Sequence, residues 1–162
     1  MSYSIASIES ISQVSKKDIK ILDRLATIAK LSDAPDHQMA ACIDYGSEIY
    51  GYNQYIRTRT RRMNAYSLHA EIHAISLFIK NIGGYDTDFH NIHKLKFPNK
   101  TTIYITRPLR MKYNDPSQLM WLGCSKPCDN CEKYIRAVGI SKIKYTDIID
   151  GKQVLYTLKL KR

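Results

Sequence analysis

The sequence is short of the residues that characterise fibrous, membrane-spanning or disulfide-stapled proteins. Seven of its 162 residues are glycine and five are proline, which excludes a collagen-like or low-complexity chain. No apolar run approaches the roughly 18 residues that span a bilayer as a helix. Four cysteines, three of them between residues 124 and 131, are too few and too clustered for a disulfide framework. These absences leave a globular chain that is long enough to bury a core without covalent staples.

Acidic residues are also scarce relative to basic ones. Fifteen Asp and Glu oppose 25 Lys and Arg, which gives a formal net charge of +10. This excess favours an anionic partner, but it does not distinguish a nucleotide phosphate, a nucleic-acid backbone and a solvated surface. The densest basic cluster consists of Arg57, Arg59, Arg61 and Arg62. We treat these arginines as candidate phosphate or nucleic-acid contacts at the rim of a site.

The first residues, Met1 to Ile5, carry neither a basic segment nor a continuous apolar stretch, so they do not resemble a secretory signal. Together with the clustered cysteines, this predicts a cytoplasmic protein without a membrane partner. Residues 1–14 are rich in serine, and we expect them to form a short helix or a flexible lead. Residues 15–162 are expected to form one domain.

Hydrophobic periodicity predicts three helices and five strands. The first helix begins at a capping box, Ser15 to Asp18, and the three helices are predicted at about residues 16–31, 68–80 and 128–138. Strands are predicted at about residues 39–45, 48–53, 101–106, 142–149 and 153–160. Asp150-Gly151 between the last two strands is typical of a two-residue type I′ turn. The last two strands are therefore predicted to form an antiparallel hairpin.

Two short motifs contain the residue types that bind and use a metal ion. His69-Ala70-Glu71 lies at the start of the second predicted helix, and Pro127-Cys128-Asp129-Asn130-Cys131 opens the third. One His and two Cys can bind Zn²⁺ and leave a fourth position for water, which distinguishes a catalytic zinc from a structural one. A proline at the helix start puts both cysteines in the first turn, where backbone amides and the helix dipole favour thiolates.

In this order, and with the proline, the motifs match H-x-E…P-C-x-x-C, the signature of zinc-dependent base deaminases. With Gly51-Tyr52-Asn53 after the first predicted hairpin, the chain resembles the cytidine and deoxycytidylate deaminase-like superfamily over roughly residues 16 to 160. The resemblance implies an α/β fold of three α/β/α layers, with a mixed five-stranded sheet that ends in the C-terminal antiparallel hairpin. It also implies one Zn²⁺ per chain, held by His69, Cys128 and Cys131 between the starts of two helices.

The resemblance implies a reaction as well. Zinc lowers the pKa of a bound water toward neutrality, and the hydroxide attacks C4 of a cytosine or C6 of an adenine. Glu71 is assigned as the general acid and base, Asn53 would hydrogen-bond the sugar, and the backbone of Ala70 would contact the base. We expect hydrolytic deamination of a cytosine nucleoside or nucleotide (cytidine, deoxycytidine or dCMP) to the uracil form with release of ammonia. Relatives usually form dimers or tetramers, so we also expect a homo-oligomer.

Other interpretations of the same residues stay open. His73 lies one helical turn after His69, so a closed structural Cys2His2 site is an alternative. Cys124 is a further spare ligand, which would make a Cys3His site. The same catalytic site could act on single-stranded DNA or RNA, with the arginines following the backbone. The chain could also be a zinc-containing binding module without activity.

Two features bear on the choice of substrate. The connector over residues 107–126 is longer than in many relatives, and its length predicts either a substrate-selecting lid or a surface insertion. The C-terminal hairpin, by resemblance, favours the branch that deaminates free cytidine. In the deoxycytidylate and polynucleotide-editing branches the last strands pair in parallel. The net charge points weakly the other way, toward nucleic acid.

Overall fold

The structure is a computed structural model that describes residues 2–34, 37–54, 68–83, 100–109 and 122–161. The elements in this part of the chain are β1 (Ser2–Ser10), a 3₁₀ turn (Ile11–Gln13), α1 (Lys16–Ala29), β2 (Ala40–Asp44), β3 (Glu48–Tyr52), α2 (Ala70–Gly83), β4 (Thr102–Pro108), β5 (Leu122–Gly123), α3 (Asp129–Ala137), β6 (Lys142–Ile149) and β7 (Lys152–Lys161). None of these helices is long and apolar enough to cross a membrane.

The strands form one mixed sheet in the order β1-β7-β6-β4-β2-β3, and β5 pairs with β4 outside this path. β4 and β6 run parallel, whereas β2 is antiparallel to both of its neighbours. α1 packs on one face of the sheet, and α2 and α3 pack on the other. The predicted α/β fold with three α/β/α layers is therefore confirmed.

The central strands β2 and β4 contribute to two separate hydrophobic cores, because successive side chains point to opposite faces. In β2, Ala41 and Ile43 belong to the core under α2 and α3. The alternate residues Ala40 and Cys42 belong to the core under α1. Both sides of β2 are thus buried, as expected for a strand covered by helices on both faces.

The C-terminal hairpin forms as predicted. β6 and β7 are antiparallel, and Ile149 is paired with Lys152 across a two-residue turn. Asp150 and Gly151 at this turn have φ of 50° and 73°. Two successive positive φ angles define a type I′ turn, whose twist matches that of the flanking strands.

The N-terminal residues differ from the expectation of a short helix or flexible lead. β1 pairs antiparallel with β7 along its length, with a register shift between Ile5 and Ser7. β7 would otherwise present a row of unpaired amides and carbonyls, so pairing across strands overrides the weak local preference of the serine-rich segment. Within the described residues, β1 and the short β5 raise the number of strands from the five predicted to seven.

Candidate metal centre and active site

α2 begins beside β3 because a glycine lets the two backbones approach closely. A Cβ atom added at Gly51 would lie 2.9 Å from the carbonyl oxygen of Ala70 and would also meet the backbone of Ala74. A glycine is needed wherever two backbones come this close. Gly51 therefore sets the position of the first turn of α2, immediately after His69.

A second contact fixes the chain just before α2. Gln54 and Leu68 form an isolated antiparallel bridge, with N–O distances of 2.9 and 2.8 Å. Leu68 is the residue before His69, so this bridge holds the backbone that carries the histidine. The ring of His73, one turn later, lies edge-on to Tyr52, and its Nδ1 is 3.1 Å from the Tyr52 backbone nitrogen.

α3 begins at the cysteine pair, as predicted. Cys128 is the N-cap residue, and its Sγ accepts a hydrogen bond of 3.4 Å from the backbone nitrogen of Cys131. The helix itself starts at Asp129, so Pro127 precedes the cap and does not occupy the first helical position. Both cysteines nevertheless lie at the N-terminal turn, where a thiolate is favoured by free amides and the helix dipole.

His69, Cys128 and Cys131 converge from the two helix starts. The Nδ1 atom of His69 lies 3.2 Å from the Sγ of Cys131 and 3.7 Å from the Sγ of Cys128. The three ligand atoms lie within 4.8 Å of one another. A tetrahedral zinc with usual bond lengths separates a nitrogen and a sulfur ligand by about 3.6 Å. The group therefore fits one metal ion, and its nitrogen and sulfur donors are those that zinc prefers.

The three ligands differ in exposure. His69 and Cys128 are exposed, whereas Cys131 is buried. Burial raises the pKa of the Cys131 thiol, so the thiolate needs a nearby positive charge. A divalent cation supplies that charge, because metal binding displaces the thiol proton. The centre is thus buried at Cys131 and open at His69 and Cys128.

Glu71 lies next to this group and is almost fully buried, with 2% of its surface exposed. Burial raises the pKa of its carboxyl group, and nearby His69 and Cys131 oppose that shift. No salt bridge joins Glu71 to a basic side chain within the residues described. A carboxyl group with a raised pKa keeps its proton to higher pH than an exposed one does.

The spare ligands do not join the metal group in the described part of the chain. The group there contains neither His73 nor Cys124. His73 is turned toward β3, and Cys124 is exposed on the segment between β5 and α3. All four cysteines are free, including the buried Cys42 under α1.

Asn53 already has hydrogen-bond partners of its own. Its Oδ1 accepts a hydrogen bond of 2.8 Å from the backbone nitrogen of Met39, and its Nδ2 donates to the carbonyl of His37. The backbone nitrogen of Asn53 also donates to the carbonyl of Met39 at 3.1 Å. Asn53 therefore holds the segment before β2 against the end of β3, a role that the motif did not indicate.

Several other predicted features fall wholly or partly outside the described residues. Arg57, Arg59, Arg61 and Arg62 lie outside them. Of the 107–126 connector, residues 107–109 and 122–126 are described. Its returning end forms β5, where Arg107 pairs with Gly123, and the backbone nitrogen of Leu122 donates to the Oε1 of Gln153 at 2.8 Å.

One set of residues beside the centre was missed by sequence reasoning. Ser125 and Thr146 form a buried hydrogen-bonded cluster between β4, β6 and the segment that leads to Cys128. Neither residue belongs to a motif or to an apolar stripe. An isolated Ser or Thr carries no sequence signal for such a role, since both are common in loops and strands alike.

Comparison with known proteins agrees with this geometry. The model of the cytidine and deoxycytidylate deaminase zinc-binding region matches residues 15–147. The dCMP deaminase of cyanophage S-TIM5 in apo form is a similar structure, with a TM-score of 0.51 and 18% identity over 85% of this chain and 89% of that one. Its complex with dCMP and dUMP gives a TM-score of 0.49 and 17% identity, over 82% and 83% of the two chains.

At these identities the structural likeness shows a shared fold. No curated protein matches the chain significantly in sequence. The family model, however, spans most of the chain and includes the histidine, the glutamate and both cysteines of the centre. The chain belongs to the cytidine and deoxycytidylate deaminase family, and it carries that family's zinc-binding region.

Proposed function

We propose that the protein catalyses zinc-dependent hydrolytic deamination of a cytosine nucleoside or nucleotide, with cytidine, deoxycytidine and dCMP as candidate substrates. The products are the uracil form and ammonia. The observation that carries this proposal is the buried carboxyl group of Glu71 beside an open His69, Cys128 and Cys131 centre. A structural zinc site has no need for a buried acid next to its ligands.

Glu71 is the proposed general acid and base. Its carboxylate accepts a proton from the attacking water and delivers it to N3 of the cytosine ring. It then transfers the proton of the hydroxyl added at C4 to the amine, which leaves as ammonia as the C4–N bond breaks. Its raised pKa suits a group that must accept and donate protons in one cycle. Burial also keeps bulk water from taking over the proton transfer.

His69, Cys128 and Cys131 are the proposed ligands of one Zn²⁺. When bound, the ion supplies a Lewis acid that lowers the pKa of a water molecule. The exposed side of His69 and Cys128 leaves room for a substrate to reach the centre. The buried Cys131 anchors the centre to the protein interior through α3.

Substrate contacts are proposed for two further residues and one cluster. Ala70 is the first residue of α2, so its backbone amide is one of the free donors of a helix start and can face the base. Asn53 is proposed to bind the sugar with the hydrogen-bonding capacity left after its contacts to residues 37–39. The cluster proposed to contact phosphate consists of Arg57, Arg59, Arg61 and Arg62.

Cytosine is the proposed base, and the similar cyanophage structure supports it because that protein is a dCMP deaminase.

The family resemblance further supports a homo-oligomer, either a dimer or a tetramer. Light scattering of the purified protein tests this, and a strictly monomeric mass would contradict it. Free cysteines without a disulfide support a cytoplasmic location.

The test is ammonia release together with product mass for cytidine, deoxycytidine, their monophosphates and adenosine. Wild type and Glu71→Gln are compared at equal zinc content. We expect turnover of at least one cytosine compound by the wild type and its loss in the variant. Zinc-loaded wild-type protein that is silent on the whole panel would contradict the proposal.

A second candidate function is deamination of cytosine in single-stranded DNA or RNA. The net charge of +10 favours it, because cationic residues track a phosphate backbone. A cytosine-bearing oligonucleotide is therefore added to the panel. Turnover of the oligonucleotide that falls steeply with salt, with no turnover of free nucleotides, would make this the function. Bound zinc without any turnover would indicate a binding module.

A further inference from the structure

The two cysteines of the metal centre follow a segment without regular secondary structure. β5 ends at Gly123, and α3 begins at Asp129, so residues 124–128 belong to neither element. Ser125 and Pro127 are buried in this segment, whereas Cys124, Lys126 and Cys128 are exposed. Among the described residues, one backbone hydrogen bond, from Ser125 to Thr146, ties this stretch to the sheet, so its buried side chains also determine where Cys128 lies.

Ser125 is the anchor of this segment, with 1% of its surface exposed. Its Oγ lies 2.7 Å from the carbonyl of Ile105 on β4, to which it donates, and it accepts a hydrogen bond of 2.9 Å from the backbone nitrogen of Thr146 on β6. Its own backbone nitrogen donates to the carbonyl of Thr146 at 2.9 Å. One serine therefore links the segment to both parallel strands at the centre of the sheet.

Thr146 completes the cluster. Its Oγ1 donates to the carbonyl of Gly123 at 2.9 Å and lies 3.1 Å from the Oγ1 of Thr106, which can donate to it. Each hydroxyl has one proton, and in this arrangement each proton is used once. Ser125, Thr106 and Thr146 are all fully or almost fully buried. Loss of one hydroxyl would leave buried partners unsatisfied, which is costly in a low-dielectric interior.

The link from this cluster to the metal centre is short. Ser125 lies three residues before Cys128, and Cys128 caps α3 by accepting from the nitrogen of Cys131. A shift of Ser125 therefore moves one ligand directly and the other through the helix start. His69 is held independently, by the contacts of α2 with β3. The distance between the histidine and the cysteines thus depends on the anchor.

We infer that Ser125 and Thr146 are positioning residues that hold Cys128 and Cys131 at the spacing that a zinc ion requires. The inference rests on the proposed function only in placing zinc at this centre. Groups that orient metal ligands typically change metal affinity 10- to 100-fold when removed. The same range is expected here for Ser125→Ala and Thr146→Val.

The experiment measures Zn²⁺ affinity by competition with a chromophoric chelator, and the thiolate-to-metal absorption band of the Co²⁺-loaded protein. Ser125→Ala and Thr146→Val are expected to bind Zn²⁺ about 10- to 100-fold more weakly and to shift the Co²⁺ band. Thr146→Ser keeps the hydroxyl and should restore both. Thr157→Val is the matched control, because Thr157 is another buried threonine whose hydroxyl has no hydrogen-bond partner among the described residues.

Urea unfolding of each metal-free protein separates lost stability from lost metal affinity. Wild-type Zn²⁺ affinity and an unchanged Co²⁺ band in Ser125→Ala and Thr146→Val would overturn the inference, even if both variants unfold more easily. If Ser125→Ala does not fold, the comparison of Thr146→Val with Thr146→Ser decides. The outcome does not depend on turnover. Wild-type protein that binds zinc but deaminates nothing would contradict the proposed function, and the inference about Ser125 and Thr146 would still hold.

Discussion

Glu71 and Asp18 are both buried carboxyl groups in the first turn of a helix, but they lie on opposite sides of the sheet. Glu71 has 2% of its surface exposed and Asp18 has 4%. On the α1 side, Asp18 forms a salt bridge of 2.9 Å with Lys144 and accepts a hydrogen bond of 2.8 Å from the hydroxyl of Tyr104. On the metal side, Glu71 has no such salt bridge within the described residues.

The pKa values of the two groups move in opposite directions for this reason. Burial raises the pKa of Glu71, and its neighbours do not reverse the shift. Burial alone would raise the pKa of Asp18 as well, but hydrogen bonds from Lys144 and Tyr104 lower it below its usual value. Asp18 is thus a paired, structural carboxyl group, whereas Glu71 is buried with no salt-bridge partner among the described side chains, a setting in which a raised pKa often marks a functional group.

The largest expected effect comes from Glu71→Gln, which keeps shape and removes the proton carrier. Turnover should fall by about 10²- to 10⁴-fold, the range for a general acid or base. Zinc content and the urea unfolding midpoint should stay close to those of the wild type. Steady-state ammonia release with metal analysis checks this. Retained turnover would remove Glu71 from the mechanism and erase the contrast with Asp18.

Asp18→Asn should lower stability and leave turnover unchanged, the opposite of Glu71→Gln. It leaves the ammonium group of Lys144 without its carboxylate partner in a largely buried position. The free energy of unfolding should fall by about 3 kcal/mol, as for other broken buried ion pairs. Zinc affinity and turnover per folded molecule should be unchanged. Urea denaturation measures the change in the free energy of unfolding. A variant that is as stable as the wild type would show that the ion pair makes no net contribution to stability.

Gly51→Ala tests the packing of β3 against α2, which positions the metal centre. The added Cβ meets the backbone of α2, so β3 and the helix must separate. Overpacking of this kind costs about 2 kcal/mol. Because His69 directly precedes this helix, zinc affinity should fall together with the free energy of unfolding, whereas in Asp18→Asn it should not. Loss of stability with wild-type zinc affinity would separate Gly51 from the metal centre.

The smallest effect is a dependence of stability on pH. The pKa of Asp18 is lower in the folded state than the value of about 3.9 in an unfolded chain. Its contribution to stability is therefore fully present above that unfolded value and is lost as the pH falls through the folded pKa. The stability difference between wild type and Asp18→Asn should shrink on acidification in urea titrations. A difference that stays constant into strong acid would contradict the assigned ion pair.

Much of the fold could be predicted because its signals are local. The predicted N-cap at Ser15 forms, with the backbone nitrogen of Asp18 donating to the Ser15 Oγ at 3.1 Å. The turn at Asp150-Gly151 is fixed by residues that tolerate positive φ. β1 and β5 could not be predicted in this way. They are strands because the edge of β7 and the end of β4 offer them partners, which no local pattern encodes.

The site likewise has features that follow from local sequence and features that depend on tertiary contacts. The sequence alone determined which residue types the centre contains, because the histidine, the glutamate and the two cysteines lie in short motifs at helix starts. Helix starts have local sequence signals. The tertiary structure decided which ligands meet, that His73 faces β3, and that Ser125 anchors the cysteines to the sheet. The physical reason is that hydrogen bonds and close backbone contacts between distant segments depend on the packed sheet, which exists only after the chain has folded.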